Sequence, residues 1–317
     1  MSRCLYCYQP LPGEIPAYHP ACSRKLFGKP TPPAFPYSEA ELLALAEQIV
    51  RSHITVTGVQ PKLSLALAAT GEAVQPTRLT IVGALHGEYI LKPPTPHYPS
   101  LPEVEDLTMH LASLAGLPTV PHGLLHLAGG ALAYVTRRID RHRGQKLAME
   151  DMCQLTERLT EHKYDGSHEQ VAKAILKYSA NPGLDVVNYY ELVLFCFLTG
   201  NADMHLKNFS LLRTPGLGYN LAPAYDLVAT ALVNPADTEE LALTLNGRKR
   251  KFKPADFQQA AQRAGVPEKA VAALFARFAR ARPAWHRFID SSFLSEELRQ
   301  GYHELLARRF EQLGIAP

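Results

Sequence analysis

The sequence predicts an α+β chain of two lobes, a small, mainly β N-lobe and a larger, mainly helical C-lobe, with a small Cys/His module in front. Three observations carry this expectation. Short alternating apolar runs with Gly at their joints crowd residues 54–92, long apolar segments of helical period follow residue 140, and three of the five cysteines fall within the first 22 residues.

The 317 residues are 46% hydrophobic and 20% charged, which excludes disorder, collagen and fibre and allows a well-buried core. The apolar run near the centre that includes residues 193–198 is far short of the roughly twenty residues a membrane span needs. No apolar stretch follows Arg3, so no secretory or transit segment is read; a cytoplasmic, membrane-free protein is expected. A net charge of +3 does not by itself argue for nucleic acid. Residues 248–287, however, hold eleven Lys or Arg against Asp256 and Glu268, while residues 1–200 are balanced at seventeen bases and eighteen acids.

Residues 1–30 read as a Cys- and Pro-rich module without helical periodicity, expected to stand on its own, and residues 31–37 as a Pro-rich linker. The N-lobe is expected over 38–138 and the C-lobe over 139–317. Ser38 and Glu41 form a capping box, and Leu42, Leu45, Ala46 and Ile49 follow at helical spacing. Strands are predicted over 54–57, 62–68, 79–82 and 88–92, then a helix through Leu107, His110, Leu111 and Leu114, then a strand over 131–138. In the C-lobe, Val186 to Leu198 predict a buried helix ended by Gly200, and Val271 to Phe278 another ended by Pro283. Short strands over 209–212 and 219–222 lie between them, and Asn246-Gly247 predicts a type I′ hairpin.

The sharpest chemical motif is the run from Gly200 to Asn208. Asp203 with Asn208 five residues on, and Asp226 downstream, is an arrangement by which phosphotransferases hold a hydroxyl acceptor beside a magnesium-bound nucleotide. Oxygen donors suit Mg²⁺, so Asn208 and Asp226 are the expected metal ligands; Asp203 is left to orient the hydroxyl and Lys207 to neutralise the phosphoryl group. The competing reading of the Asp-x4-Asn spacing alone is a polar turn. In the N-lobe, Lys92 closes a strand where it can reach phosphates. The segment Thr55-Val56-Thr57-Gly58-Val59-Gln60-Pro61-Lys62 joins two strands and can cover phosphates through its backbone. Arg137, Ile139 and Asp140 lie at the lobe junction, where backbone groups can meet an adenine edge and Asp140 a ribose.

These stretches, with Y-I-L-K-P, E-V-E-x-x-x-M-x-L-A-x-x-A-G-L, R-I-D-R, M-E-D-M-C-Q, K-Y-D-G-S, G-N-A-D-M-H-L-K-N-F-S-L and L-A-P-A-Y-D-L, resemble the HipA-type serine/threonine protein kinases of bacterial toxin–antitoxin systems over roughly residues 50–300. The resemblance implies a bilobal protein-kinase-like fold and ATP- and Mg²⁺-dependent phosphorylation of a protein, such as an aminoacyl-tRNA synthetase. It implies that Asp203 is catalytic, that Asn208 and Asp226 hold Mg²⁺, and that Lys92 contacts ATP phosphates. Gly58 and its neighbours Thr57, Val59, Gln60 and Lys62 form the phosphate loop, Arg137 and Ile139 supply hinge contacts, and Asp140 meets the ribose. His205 is read as structural, expected to order the catalytic loop beside the nucleotide site by hydrogen bonds. The T-V-T at Thr55 and Thr57 looks like the autophosphorylated S-x-S of short HipT-like members. These work with a small HipS-like partner and a helix-turn-helix antitoxin, through which DNA is reached. Two ordinary β-branched strand residues are the alternative there.

Cys4-x2-Cys7-x11-His19-x2-Cys22 matches a structural Cys₃His zinc site, with four protein ligands and no open position. Cys153 and Cys196 read as buried thiols. The basic stretch is either the solvated side of a hairpin and an amphipathic helix or a contact for an acidic partner. Two rival functions remain: a small-molecule kinase of aminoglycoside-phosphotransferase type, and a non-catalytic zinc-bearing adaptor that binds antitoxin and DNA.

Overall fold

Leu63, Leu65 and Leu79 are buried on alternate positions of adjacent short runs, and that period of two fixes the register of a sheet. In the computed structural model, which describes residues 2–13, 17–52, 61–68, 78–83, 87–142 and 144–315, strands β1 (Leu63–Ala68) and β2 (Arg78–Val82) pair antiparallel with Leu65 opposite Ile81. Next come β3 (Tyr89–Lys92), α3 (Leu101–Leu114), β4 (His122–His126) and β5 (Leu132–Arg137), giving the order β2-β1-β3-β5-β4. Before this sheet lie α1 (Pro20–Phe27) and α2 (Glu39–Ser52). The predicted strand over 54–57 lies outside the described residues.

Two compact units are present: residues 1–106, 120–139 and 291–293 form one, and residues 107–119, 140–290 and 294–317 the other. The first holds the five-stranded sheet together with residues 1–30. Those residues do contain a helix, contrary to the sequence reading: α1 starts after His19 with Pro20 in its first turn and ends at Gly28, φ 76°. At eight residues it is too short to display a period. Its residues Leu26 and Phe27 are buried, and Phe27 packs 5.8 Å from the ring of Tyr89 in β3. Leu124 of β4 donates its N–H to Leu5 O, so the N-terminal segment is fastened along this edge strand rather than standing alone.

The second unit is built on α6 (Pro182–Thr199), which is apolar all round and buried for most of its length. Between β5 and α6 come β6 (Arg141–His142), β7 (Gln145–Lys146), β8 (Met149–Asp151), α4 (Met152–Leu155) and α5 (His168–Tyr178). After it follow β9 (Ser210–Thr214), β10 (Gly218–Leu221), α7 (Thr230–Val233), α8 (Pro254–Arg263), α9 (Glu268–Asp290) and α10 (Glu296–Gln312). Strands β8, β9 and β10 form a small antiparallel sheet in that order.

Two expectations are corrected. Pro283 lies inside α9 and does not end it, although it removes one intrahelical N–H. Beyond it Trp285 and Ile289 are fully buried, and the indole N–H of Trp285 donates to Leu111 O at 2.8 Å, so packing holds the helix past the proline. Asn246-Gly247 makes the expected turn, with φ of 49° and 73°, but pairs only Leu245 with Arg248 and carries no strand ladder. The preceding residues instead serve α5: Thr244 O accepts from His168 N, and Glu169 Oε1 accepts from Asn246 N.

Candidate active site

In the first unit, β3 delivers Lys92 into the interior at 4% exposure. A buried ammonium needs a partner, and it has one in Glu105 of α3, which is fully buried with Oε1 2.5 Å from Lys92 Nζ. Lys92 also lies 5.5 Å from the centre of the Tyr134 ring. Glu105 was given no role in the sequence reading. Its signal was a carboxylate one helical turn from Leu101, Thr108 and Met109, within the stripe that turns inward. Arg137 ends β5 opposite Tyr89, and its N–H donates to Pro121 O. Lys62 is exposed just before β1, and Ile139 is the last residue of this unit's central segment. Thr55, Thr57, Gly58, Val59 and Gln60 lie outside the described residues.

In the second unit the run after α6 is wound tightly. Gly200, φ 68°, caps α6, and a Cβ there would stand 2.9 Å from Ala231 Cβ and from a Leu305 methyl. Asn201 Oδ1 then accepts from Asp203 N at 3.1 Å, and Asn208 Nδ2 donates to Asp203 O at 3.1 Å. Asp203 is exposed at the crest of this turn while Ala202, Met204, His205 and Asn208 are buried around it. The structure therefore brings Asp203 and Asn208 together. With its amide nitrogen engaged, Asn208 leaves its side-chain oxygen as the end that suits a hard cation.

Tyr164 donates its hydroxyl to Asp203 Oδ1 at 2.6 Å and meets the ring of His205 edge-on at 5.1 Å. Burial, then the hydrogen bond to Asp203 and the negative charges of Asp203 and Asp226, raise its phenol pKa well above the ordinary range. Asp226 itself sits at φ 59°, in the left-handed region that Asp adopts more readily than most residues other than glycine. Next to it, the Tyr225 hydroxyl lies 2.6 Å from Ser210 Oγ and donates to Lys207 O at 3.1 Å.

Lys207 pairs with Asp151 Oδ2 at 2.8 Å, while Asp151 Oδ1 caps α4 through Gln154 N. Its ammonium is thus tied to the M-E-D stretch, which differs from the free phosphoryl-facing group expected from sequence. Asp140, first residue of the second unit's main segment, pairs with Arg141 and accepts Leu147 N through its carbonyl. Tyr164 and Asp151 were also missed as site residues; both stood inside quoted motifs, but nothing in their spacing showed what they would touch.

The four residues of the N-terminal Cys/His pattern come together. Ligand atoms of Cys4, Cys7, His19 and Cys22 all lie within 4.8 Å of one another, with Cys7 Sγ 3.4 Å from His19 Nδ1, and the three cysteines are free thiols. No helix among the described residues is long and apolar enough to cross a membrane.

A sheet with a buried strand lysine tied to a helix glutamate, and a helical unit with an Asp-x4-Asn turn followed by an aspartate in the left-handed region, are the two parts of a protein-kinase-like fold. The chain belongs to the HipA-like C-terminal domain family, which matches residues 54–285. Among curated proteins it is 29% identical over 212 residues to a putative kinase of Haemophilus influenzae, covering 63% of this chain and 59% of that one. It is 27% identical over 216 residues to the serine/threonine-protein kinase toxin HipA of Shewanella oneidensis, covering 62% and 47%. The chain thus spans about half the length of the curated relatives it matches. In fold it resembles a chain of the Shewanella oneidensis complex of HipA, HipB and operator DNA, with TM-score 0.68, 23% identity and coverage of 85% and 71%. It also resembles the Helicobacter pylori proinflammatory kinase CtkA, with TM-score 0.54, 16% identity and coverage of 79% and 93%.

Proposed function

We propose that the chain is an ATP- and Mg²⁺-dependent serine/threonine protein kinase acting as the toxin of a HipA-like toxin–antitoxin pair. The observation that carries this reading is the buried Lys92–Glu105 pair: desolvating an ammonium and a carboxylate is costly, and a lysine held there by its glutamate is the positioned charge that nucleotide phosphates require. In this reading Lys92 holds nucleotide phosphates and Glu105 fixes its position. Asp203 orients the acceptor hydroxyl and takes its proton, and its carboxylate direction is set by Tyr164. Asn208 and Asp226 are the residues that would hold Mg²⁺, which supplies charge neutralisation at the phosphates when bound. Lys207, through Asp151, braces the turn. Thr57, Gly58, Val59, Gln60 and Lys62 would cover the phosphates, with Thr55 or Thr57 as the site of self-modification. Arg137, Ile139 and Asp140 would meet the nucleoside.

The acceptor is proposed to be a component of translation such as an aminoacyl-tRNA synthetase. The partners are proposed to be a helix-turn-helix antitoxin, which brings DNA, and a small HipS-like protein. Support for the antitoxin comes from the Shewanella oneidensis relative, solved with HipB and operator DNA.

The test incubates wild type and Asp203→Ala with Mg-ATP and a bacterial lysate and maps phosphosites by mass spectrometry. Asp203-dependent modification of Thr55, Thr57 or a lysate protein is the expected result. Transfer to an aminoglycoside alone would favour the small-molecule reading, and no Asp203-dependent transfer at all would overturn the kinase reading.

A further inference from the structure

The Cys4, Cys7, His19 and Cys22 cluster is connected to the Lys92–Glu105 pair through a few buried side chains. The donor set is three thiols and one imidazole, the soft combination that selects zinc. His19 Nε2 lies 3.1 Å from Pro10 O, which can only accept, so this nitrogen carries the proton and Nδ1 keeps its lone pair for a cation. Cys4 and Cys7 flank a tight turn closed by the Arg3–Pro10 bridge, and Cys22 lies in the first turn of α1.

Between these ligands the chain turns its aromatic residues inward. Tyr8, directly after Cys7, has φ 63°, is 1% exposed, and donates its hydroxyl to Asp106 Oδ2 at 2.7 Å. Asp106 Oδ1 is 2.6 Å from His122 Nδ1 on β4. Asp106 is the neighbour of Glu105 in α3, so the carboxylate held by Tyr8 lies one residue from the one that holds Lys92. On the other side, Leu5 O accepts from Leu124 N, Tyr18 donates its hydroxyl to Leu124 O, and Gly123 allows the approach, since a Cβ there would stand 3.1 Å from a Leu26 methyl. Left-handed backbone is unfavourable for a tyrosine, so the turn that presents Tyr8 needs a constraint to hold it.

We propose that Zn²⁺ bound by Cys4, Cys7, His19 and Cys22 locks Tyr8 onto Asp106 and thereby holds the Glu105 turn of α3 against Lys92. Metal occupancy then sets whether the lysine is positioned for phosphates. Only this last consequence rests on the kinase reading; zinc binding and the ordering of α3 do not.

The experiment uses the full chain purified without chelator, assayed for zinc by elemental analysis and for backbone hydrogen exchange in α3, with Mg-ATP binding measured alongside. Expected are about one zinc per chain in the wild type and loss of zinc in Cys7→Ser and Cys22→Ser. Exchange at residues 104–107 should be about tenfold faster after zinc removal, with weaker Mg-ATP binding. Tyr8→Phe should keep its zinc yet show the faster exchange, and this variant decides the matter if the zinc-free chain precipitates. Absence of zinc, or unchanged α3 exchange in zinc-loaded Tyr8→Phe, overturns the proposal. Zinc-dependent α3 protection in a protein that binds no ATP would uphold the clamp and refute the kinase reading.

Discussion

Lys92 Nζ and Glu105 Oε1 are 2.5 Å apart with both side chains out of solvent. Removing one partner strands a charge in the interior. Glu105→Ala is therefore expected to destabilise the protein by about 3–5 kcal/mol, read from urea unfolding. The double variant Lys92→Met, Glu105→Leu should recover most of that stability while phosphotransfer stays lost. Recovery of phosphotransfer would show that the pair is only structural.

Asp203 is exposed; its carboxylate accepts from the Tyr164 hydroxyl, while its backbone N–H and C=O meet the side chains of Asn201 and Asn208. Asp203→Asn should leave the melting temperature within a degree or two of wild type while lowering phosphotransfer by about 10²–10⁴-fold. Tyr164→Phe keeps the carboxylate but frees its direction, so a smaller loss of about tenfold in kcat is expected, with KM for ATP little changed.

Gly200 joins α6 to that turn at φ 68° and has no room for a side chain. Gly200→Ala is expected to cost about 2–4 kcal/mol from backbone strain together with overpacking against Ala231 and Leu305, measured by denaturant titration. An effect below about 1 kcal/mol would mean that the neighbours yield more readily than the close contacts imply.

His168 is fully buried beside Tyr189, with Nδ1 2.6 Å from its hydroxyl, and burial lowers its pKa to about 3. The unfolded chain binds a proton on this histidine below about pH 6.5, and the folded chain does not until about pH 3. Stability conferred by neutral His168 is thus present above pH 6.5 and is lost as pH falls through that window, with a slope of up to about 1.4 kcal/mol per pH unit. Replacing His168 by Gln should flatten the urea-unfolding profile between about pH 4 and 6.5.

Much of this was legible from local pattern. Alternation of Leu63, Leu65 and Leu67 marked β1, and the all-round apolar run to Leu198 followed by Gly200 marked α6 and its end. The Asp203–Asn208 turn followed from spacing, because five residues suffice to close a loop on itself. Contacts across long sequence separations were not legible. Glu105 reads as one of several acids until β3 places Lys92 beside it, and Tyr8 reads as a loop residue until α3 presents Asp106. Pro283 was misread for a related reason: its local rule is sound, but Trp285 bonds to a residue far away in sequence.

The pairing of Leu124 with Leu5 has a practical consequence for anyone trimming the chain to its family-matching portion. A version that starts at residue 38 would bare the outer N–H and C=O groups of β4, beside apolar positions at Leu124 and Leu125 now sealed from water. Bare, apolar sheet edges recruit other chains, so such a shortened protein should collect in inclusion bodies rather than behave as a minimal enzyme.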